Sequence, residues 1–200
     1  MRQSLTLILL LCSGLFAAAQ VLPPASLDTT KIYTSLTEAM SAAGPVYRLD
    51  LSRQKLTAFP EDILLLKDLQ ELRLSKNKTG NFPDGIAALS NLQRIECIRC
   101  GMDSIPPAIL TLSHLTQLDL GDNYIRVIPE DINALTELRI LALWDNPISI
   151  YPNTLGDLPQ LEYFDLLHNQ MNVATQQRIL DLLPRTRIIV SAPCKCEDGE

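Results

Sequence analysis

The sequence has few of the residues that usually build an active site. Its 200 residues include two histidines and eight glycines. No glycine-rich phosphate loop, no H-E-x-x-H zinc motif and no calcium-loop spacing occurs in the chain. His114 and His168 flank predicted strands without a nucleophile in a slot that would lie beside them, and both are interpreted as surface residues. These absences argue against an enzyme, and no cofactor or metal site is predicted.

Long apolar runs are also missing, except at the start of the chain. Leu5 to Phe16 is mostly apolar, follows Arg2, and ends at Ala17-Ala18-Ala19, which resembles a cleavage signal. A membrane anchor is the competing interpretation, but the run is shorter than the ~20 residues that a span needs. We predict that residues 1–19 are a signal peptide and that the chain is exported to a periplasm, a cell surface or the medium. No membrane insertion is expected after cleavage.

Positive charge is in short supply. The chain has 17 Lys and Arg against 23 Asp and Glu, which gives a formal net charge of −6. An acidic balance opposes non-specific binding to nucleic acid and to anionic membranes. No nucleic-acid partner is therefore predicted.

What the sequence does contain is a pattern that returns every 23 residues. The unit reads L-x-x-L-x-L-x-x-N-x-h-x-x-h-P-x-x-I-x-x-L-x-x, where h is apolar. Its first part alternates apolar and polar residues, which predicts a half-buried strand. Its second part starts with proline and spaces apolar residues by three, which predicts a short helix or 3₁₀ turn. Successive units begin at Val46, Leu69, Leu92, Leu115, Leu138 and Leu161.

This unit resembles the leucine-rich repeat, in which each copy forms one coil of a solenoid. The F/I-P-x-x-I-x-x-L half resembles the 23-residue class found in Scribble, Erbin and the plant Ras-group repeat proteins. The export signal and the segments P-V-Y-R-L-D-L-S (45–52) and L-L-P-R-T-R-I-I-V (182–190) are more similar to secreted bacterial members. The resemblance implies an α/β fold: a right-handed horseshoe segment with a parallel concave sheet, short helices or 3₁₀ turns on the convex side, and helical caps.

The repeats divide the chain into segments. After the signal peptide, residues 20–33 are predicted to be a linker, and residues 34–45 a capping helix that opens with the capping box Ser35-Leu36-Thr37-Glu38. Residues 46–190 hold five full repeats, a divergent sixth and a terminal strand, with a longer helix from Met171 to Leu183. Residues 191–200 are predicted to be an acidic tail.

The asparagine slot of the repeat predicts a structural ladder. Asn77, Asn123, Asn146 and Asn169 would bond the backbone where each strand bends away. Cys100 takes the same slot in the third unit, and Cys97 takes an inward strand slot. Both are interpreted as free cysteines that pack in the core, in preference to a metal or redox role. For Cys194 and Cys196 in the tail, a disulfide and a free pair both stay open.

The outward strand residues form rows across the concave face that no internal packing requires. In the first three units these rows alternate in charge, so neighbouring side chains can neutralise each other. In the last units apolar and aromatic side chains meet with carboxylates beside them, which is typical of interaction hot spots. The predicted partner-binding residues are Ile98, Ile140, Trp144, Tyr163, Leu167, Asp122, Asp145 and Asp165.

We therefore predict a non-catalytic, exported protein-binding module that uses the concave face of its solenoid. Its partner is expected to be a protein or peptide with an apolar anchor flanked by Lys or Arg. The alternative is a structural or self-assembly protein of the cell envelope, in which a homodimer covers the patch. A carbohydrate-binding module or an enzyme is less favoured, because the sequence shows no site for either.

Overall fold

The computed structural model of the protein describes residues 21–192. The predicted signal peptide, Cys194, Cys196 and residues 193–200 of the predicted tail lie outside the described residues. Eight strands form one parallel sheet in strict sequence order. They are β1 (Ile32–Tyr33), β2 (Arg48–Asp50), β3 (Glu71–Arg73), β4 (Arg94–Glu96), β5 (Gln117–Asp119), β6 (Ile140–Ala142), β7 (Tyr163–Leu166) and β8 (Arg187–Val190).

The register of the sheet equals the period of the sequence. Leu118 of β5 pairs with Leu141 of β6, and Leu141 pairs with Phe164 of β7, so each partner lies 23 residues further along the chain. Because β2 to β7 take the same slots of the repeat, the inward residue of each is buried and its flanking residues face the concave side. This arrangement confirms the predicted solenoid with its parallel concave sheet.

The convex side consists of 3₁₀ turns, one for each full repeat. Each turn follows a proline with extended backbone, and an apolar residue three positions after that proline is fully buried, as Ile132 is after Pro129. Proline suits this place because its fixed φ leads into a helical turn and its missing N–H costs nothing there. The five turns are Glu61–Leu65, Asp84–Ala88, Pro107–Thr111, Glu130–Ala134 and Asn153–Asp157.

The asparagine ladder lies where the repeat predicts it. In the fourth coil, Nδ2 of Asn123 donates to the carbonyl oxygens of Cys97 (2.8 Å) and Leu120 (2.9 Å), while its Oδ1 accepts from the Cys100 amide (2.9 Å). Asn77, Asn146 and Asn169 make the corresponding bonds in their coils. Each asparagine thus joins two successive coils through buried backbone groups that would otherwise be unpaired.

The interpretation of Cys97 and Cys100 as free cysteines is wrong, because the structure joins them in a disulfide. Both side chains are fully buried, and their Cα atoms lie 5.6 Å apart, within the range that a disulfide spans. Sγ of Cys100 lies 3.4 Å from the Leu74 carbonyl oxygen, the acceptor that an asparagine would bond here. Because the disulfide sulfur has no proton to donate, the ladder lacks a hydrogen bond to the Leu74 oxygen at this coil. The Cys97–Cys100 disulfide takes its place.

Both ends of the solenoid are covered. At the front, α1 (Pro24–Leu27) and β1 lie in the segment expected to be a linker, and α2 (Leu36–Met40) has Ser35 as its N-cap residue. Oγ of Ser35 accepts from the Glu38 amide, as the capping box predicts. At the back, α3 (Val173–Leu182) replaces the 3₁₀ turn and buries Ile179, and β8 ends the sheet.

Candidate functional site

In the first half of the concave face, the outward side chains pair with one another and with the N-terminal segment of the protein. The carboxylate of Glu71 in β3 is 2% exposed and pairs with Arg48 (2.9 Å), Arg73 (2.7 Å) and Arg94 (3.3 Å). Arg48 and Arg94 also bind the N-terminal segment, through the backbone oxygen and the side chain of Asp28. The alternating charges therefore neutralise each other, and the segment before β1 covers one edge of the rows.

The N-terminal segment is held by amides that precede the strands. The Leu22 amide donates to Oε1 of Gln70 (2.9 Å), and Nε2 of Gln93 donates to the Leu22 oxygen (2.8 Å). Neither residue belongs to the apolar pattern of the repeat, and the segment itself has no periodicity. The sequence contains no signal that would place the segment on these coils.

The apolar residues predicted on the concave face are Ile98 in the third coil, Ile140 and Trp144 in the fifth, and Tyr163 and Leu167 in the sixth. All five side chains are partly exposed, and none belongs to the buried core cluster. Ile140 and Tyr163 are paired in register between β6 and β7. The structure therefore brings Ile140, Trp144, Tyr163 and Leu167 together as an apolar patch on two neighbouring coils, whereas Ile98 lies two coils before Trp144.

Trp144 owes its position to a glycine. A Cβ atom built on Gly121 would lie 2.2 Å from Cε2 and 2.3 Å from Nε1 of the Trp144 indole. Gly121 takes the slot one coil before Trp144, so the indole lies flat on its backbone and buries it. The 23-residue spacing of Gly121 and Trp144 places both in one row, but the repeat pattern alone does not indicate the role of the glycine. The signal was a residue without a side chain in a row of larger ones.

The central outward residues of β4 to β7 form a row of Glu96, Asp119, Ala142 and Asp165, and two of its carboxylates also bond the backbone. Oδ1 of Asp119 accepts from the Gly121 amide (3.1 Å), and Oδ1 of Asp165 accepts from the Leu167 amide (3.0 Å). Between them in register stands Ala142. Burial raises the pKa of Asp119 to about 6, the Gly121 hydrogen bond opposes this, and the charges of Glu96 and Asp165 add to it. The row is thus rich in negative charge that lacks full solvation.

The other predicted carboxylates lie beside the sheet. Asp122 accepts from Nε of Arg99 (2.6 Å), and Asp145 lies 3.2 Å from Nδ1 of His168. Both have positive φ, which places them in the left-handed bend that follows each strand. The structure therefore separates Asp122 and Asp145 from Asp165, which faces the concave side within β7.

A family model described as leucine rich repeat matches residues 113–171. The coils on both sides of this stretch have the same register and the same 3₁₀ turns. The chain therefore has the fold of a leucine-rich repeat solenoid. A comparison with curated protein sequences gave no match.

Solved leucine-rich repeat structures share the fold. A leucine-rich repeat protein of Leptospira interrogans is 28% identical over 82% of this chain, with a TM-score of 0.66. An internalin of Listeria monocytogenes, at 23% identity over 74% of the chain and a TM-score of 0.64, shows the fold alone. This chain spans 49% of the first protein and 42% of the second.

Similar solved structures include complexes with ligands. In one of them, the plant peptide hormone receptor RGFR1 is in complex with RGF2; the receptor is 27% identical over 71% of this chain with a TM-score of 0.58, and this chain covers 24% of it. Within residues 21–192 no group of three or more His, Cys, Asp or Glu side chains is placed to hold a metal ion. No helix in the same range has the length and apolar character needed to cross a membrane.

Proposed function

We propose that this leucine-rich repeat solenoid binds another protein or a peptide through the apolar patch of its last coils. The observation that carries the proposal is the indole of Trp144, which rests on Gly121 without entering the core. A large aromatic ring fixed on a surface loses little conformational entropy on binding, which is the property of an interface anchor. The ligand of the similar plant receptor supports a peptide partner.

Charge complementarity defines the chemistry of that partner. Asp119 and Asp165 flank the small side chain of Ala142 next to the patch, and Glu96 precedes them in the row. A Lys or Arg side chain placed over Ala142 would restore the solvation that Asp119 has lost. A cation there would also approach the faces of Trp144 and Tyr163. The partner therefore presents an apolar side chain next to a basic one.

We also propose that the protein acts after export. The disulfide between Cys97 and Cys100 supports this proposal, since disulfides persist in oxidising compartments and are rare in the cytosol. The test is N-terminal sequencing of the protein recovered outside the cytoplasm of its own cells. A chain that starts near Gln20 is expected, whereas a chain retained in the cytoplasm with Met1 would contradict export.

The binding test uses an array of short peptides that vary in apolar and basic content. The parent protein is expected to select peptides in which Lys or Arg adjoins an aromatic or aliphatic residue. Trp144→Ala should weaken the selected peptides by more than 2 kcal/mol, in the range of interface hot spots. Leu65→Ala is the control, because it removes a large apolar side chain, 61% exposed, outside the patch.

Two outcomes would contradict the proposal. One is unchanged peptide selection by the Trp144→Ala variant, which would free the patch from any role in recognition. The other is a parent protein that forms dimers and binds no peptide, together with a Trp144→Ala variant that is monomeric. Sedimentation over a hundredfold dilution series measures this and would assign the patch to self-assembly.

A further inference from the structure

A groove of about 920 Å³ runs along the edge of the solenoid where the strands of the first four coils end. Two rows of the repeat form its walls, and the buried side chains of Asn77 and Cys100 lie at its floor. The residues that give it chemical character are Lys55, Lys76, Lys78, Arg99, Gly101 and Tyr124. None of them belongs to the apolar patch, so the groove is a separate surface.

The groove concentrates positive charge in an acidic protein. Lys55 and Lys78 occupy the same slot one coil apart, and Lys76 stands beside them, all three exposed. Among residues 21–192 no ion pair involves these three ammonium groups, while Arg99 is held by Asp122. By contrast, the arginines of the adjoining concave face are paired with Glu71. Unpaired like charges side by side are unfavourable, and an anion between them would relieve the repulsion.

One end of the groove offers space and an aromatic wall. Gly101 takes the slot between Lys78 and Tyr124, has φ of +80°, and a Cβ built on it meets no atom within 4 Å. The neighbouring Tyr124 is 67% exposed. A ring can therefore lie over Gly101 against the face of Tyr124, while its substituents reach the lysines.

We propose that this basic groove binds a short acidic oligosaccharide. One sugar ring packs against Tyr124 over Gly101, and carboxylate, sulfate or phosphate groups on the neighbouring sugars contact Lys55, Lys76 and Lys78. Four coils at ~4.8 Å each leave room for only a few rings. The groove ends at Asp122, and the protein carries a net charge of −6, so a long polyanion such as nucleic acid meets repulsion beyond it.

The test is isothermal titration calorimetry of the purified protein with defined probes at two salt concentrations. A heparin-derived tetrasaccharide and a galacturonate trimer are the acidic probes, cellotetraose is the neutral one, and a single-stranded oligonucleotide is the competing polyanion. At least one acidic probe is expected to bind, more weakly at high salt, and cellotetraose is not. The Lys76→Glu/Lys78→Glu variant should lose about tenfold or more in affinity, since each reversal replaces attraction by repulsion.

Matched variants separate the groove from general charge. Lys67→Glu/Arg185→Glu makes the same change in net charge at two exposed basic residues outside the groove and should bind like the parent. Gly101→Asn should weaken binding, because the new side chain fills the space beside Tyr124. Asparagine is chosen because it tolerates the positive φ of this position. Circular dichroism and thermal melting establish that each variant is folded.

Three results would overturn the proposal. The first is a folded parent protein that binds neither acidic probe. The second is an oligonucleotide that binds more than tenfold tighter than both sugars and is lost with Lys76 and Lys78, which would assign the groove to nucleic acid. The third is a Tyr124→Ala variant with parent affinity for the acidic sugars, which would show that no ring packs there.

Discussion

The indole of Trp144 lies on the backbone of Gly121, one coil earlier in the same row, at a distance that leaves no room for a methyl group. This contact fixes the only tryptophan of the chain on the concave surface without burying it in the core. It also means that two positions 23 residues apart determine one surface. The glycine is needed for the shape of the patch, although it makes no contact through a side chain.

Gly121→Ala should displace the indole while leaving the fold intact. The new Cβ would lie 2.2 Å from Cε2, so the ring must rotate into solvent. Tryptophan fluorescence should shift to the red, and the free energy of unfolding should change by no more than about 1 kcal/mol, since no core contact is lost. Gly44→Ala is the control, because its Cβ would meet nothing. An unchanged emission spectrum would show that the contact does not persist in solution.

Asn123→Leu should unfold the middle coils at low denaturant. The change removes the acceptor of the Cys100 and Met102 amides and the donor to the carbonyls of Cys97 and Leu120. Each buried group left unpaired costs about 1–3 kcal/mol. Chemical denaturation followed by circular dichroism measures the loss. Gln160→Leu changes an exposed amide outside the ladder and should unfold at the same denaturant concentration as the parent protein. Equal midpoints for the two variants would show that Asn123 does not stabilise the coils through these hydrogen bonds.

The fold could be predicted from the sequence because the same apolar pattern occurs in every repeat. Leu118, Leu141 and Phe164 fill one slot in three coils, and stacking them in register leaves one topology. What could not be predicted lies where the period stops or where a slot holds an unusual residue. The segment around Asp28 has no repeat to place it, yet it binds Arg94.

The candidate site shows the same division. The apolar members of the patch followed from their slots, since alternation decides which side of a strand faces outward. The disulfide could not be predicted from the slots of the repeat. The slots place Cys97 and Cys100 in the core but do not show that their side chains face each other. The basic groove was missed as well. Its cations belong to two different rows, and only the bend after each strand brings those rows together.

Cys97→Leu/Cys100→Asn should restore the repeat and be as stable as the disulfide form. By analogy with Asn123, Nδ2 of the new asparagine would donate to the Leu74 oxygen, where Sγ of Cys100 now lies at 3.4 Å. A disulfide that closes four residues contributes about 2 kcal/mol by the chain-entropy relation, comparable with the hydrogen bonds gained. Cys97→Ala/Cys100→Ala has neither and should unfold first in urea. Equal midpoints for the two double variants would contradict the ladder at this coil.

Asp119 should make the protein less stable as pH rises from about 4 to about 6. The pKa of Asp119 is about 6 in the folded protein, against 3.8 for an aspartate without interactions, as in the unfolded chain. The folded state therefore binds more protons than the unfolded state in this pH window. The free energy of unfolding is therefore greatest when the pH is below the pKa of Asp119 in the unfolded chain. It falls as the pH rises to the pKa in the folded protein, by up to about 3 kcal/mol at 1.36 kcal/mol per pH unit. Asp28 and Asp103 have lowered pKa values, so their contributions are lost only below about pH 4.

Asp119→Asn is the variant that tests this pH dependence. The amide oxygen can still accept from the Gly121 amide, but the group no longer titrates. Urea midpoints measured at steps between pH 4 and pH 7 should fall in the parent protein and stay flatter in the variant. Parallel curves would show that the buried carboxylate is not the source of the slope.

Glu71→Gln should release the N-terminal segment. The substitution keeps the size of the side chain but leaves Arg48, 8% exposed, without a negative partner. Breaking one side of a buried ion pair costs about 3–5 kcal/mol, because the remaining charge is poorly solvated. Arg48 and Arg94 also hold Asp28, so a protease should cut residues 21–30 sooner in the variant. The control is Glu162→Gln, which removes an Arg–Glu pair of the same 23-residue spacing with Arg139, exposed by 52% and 64%. That pair should contribute less than about 1 kcal/mol, and equal losses in the two variants would mean that burial does not set the strength of the network.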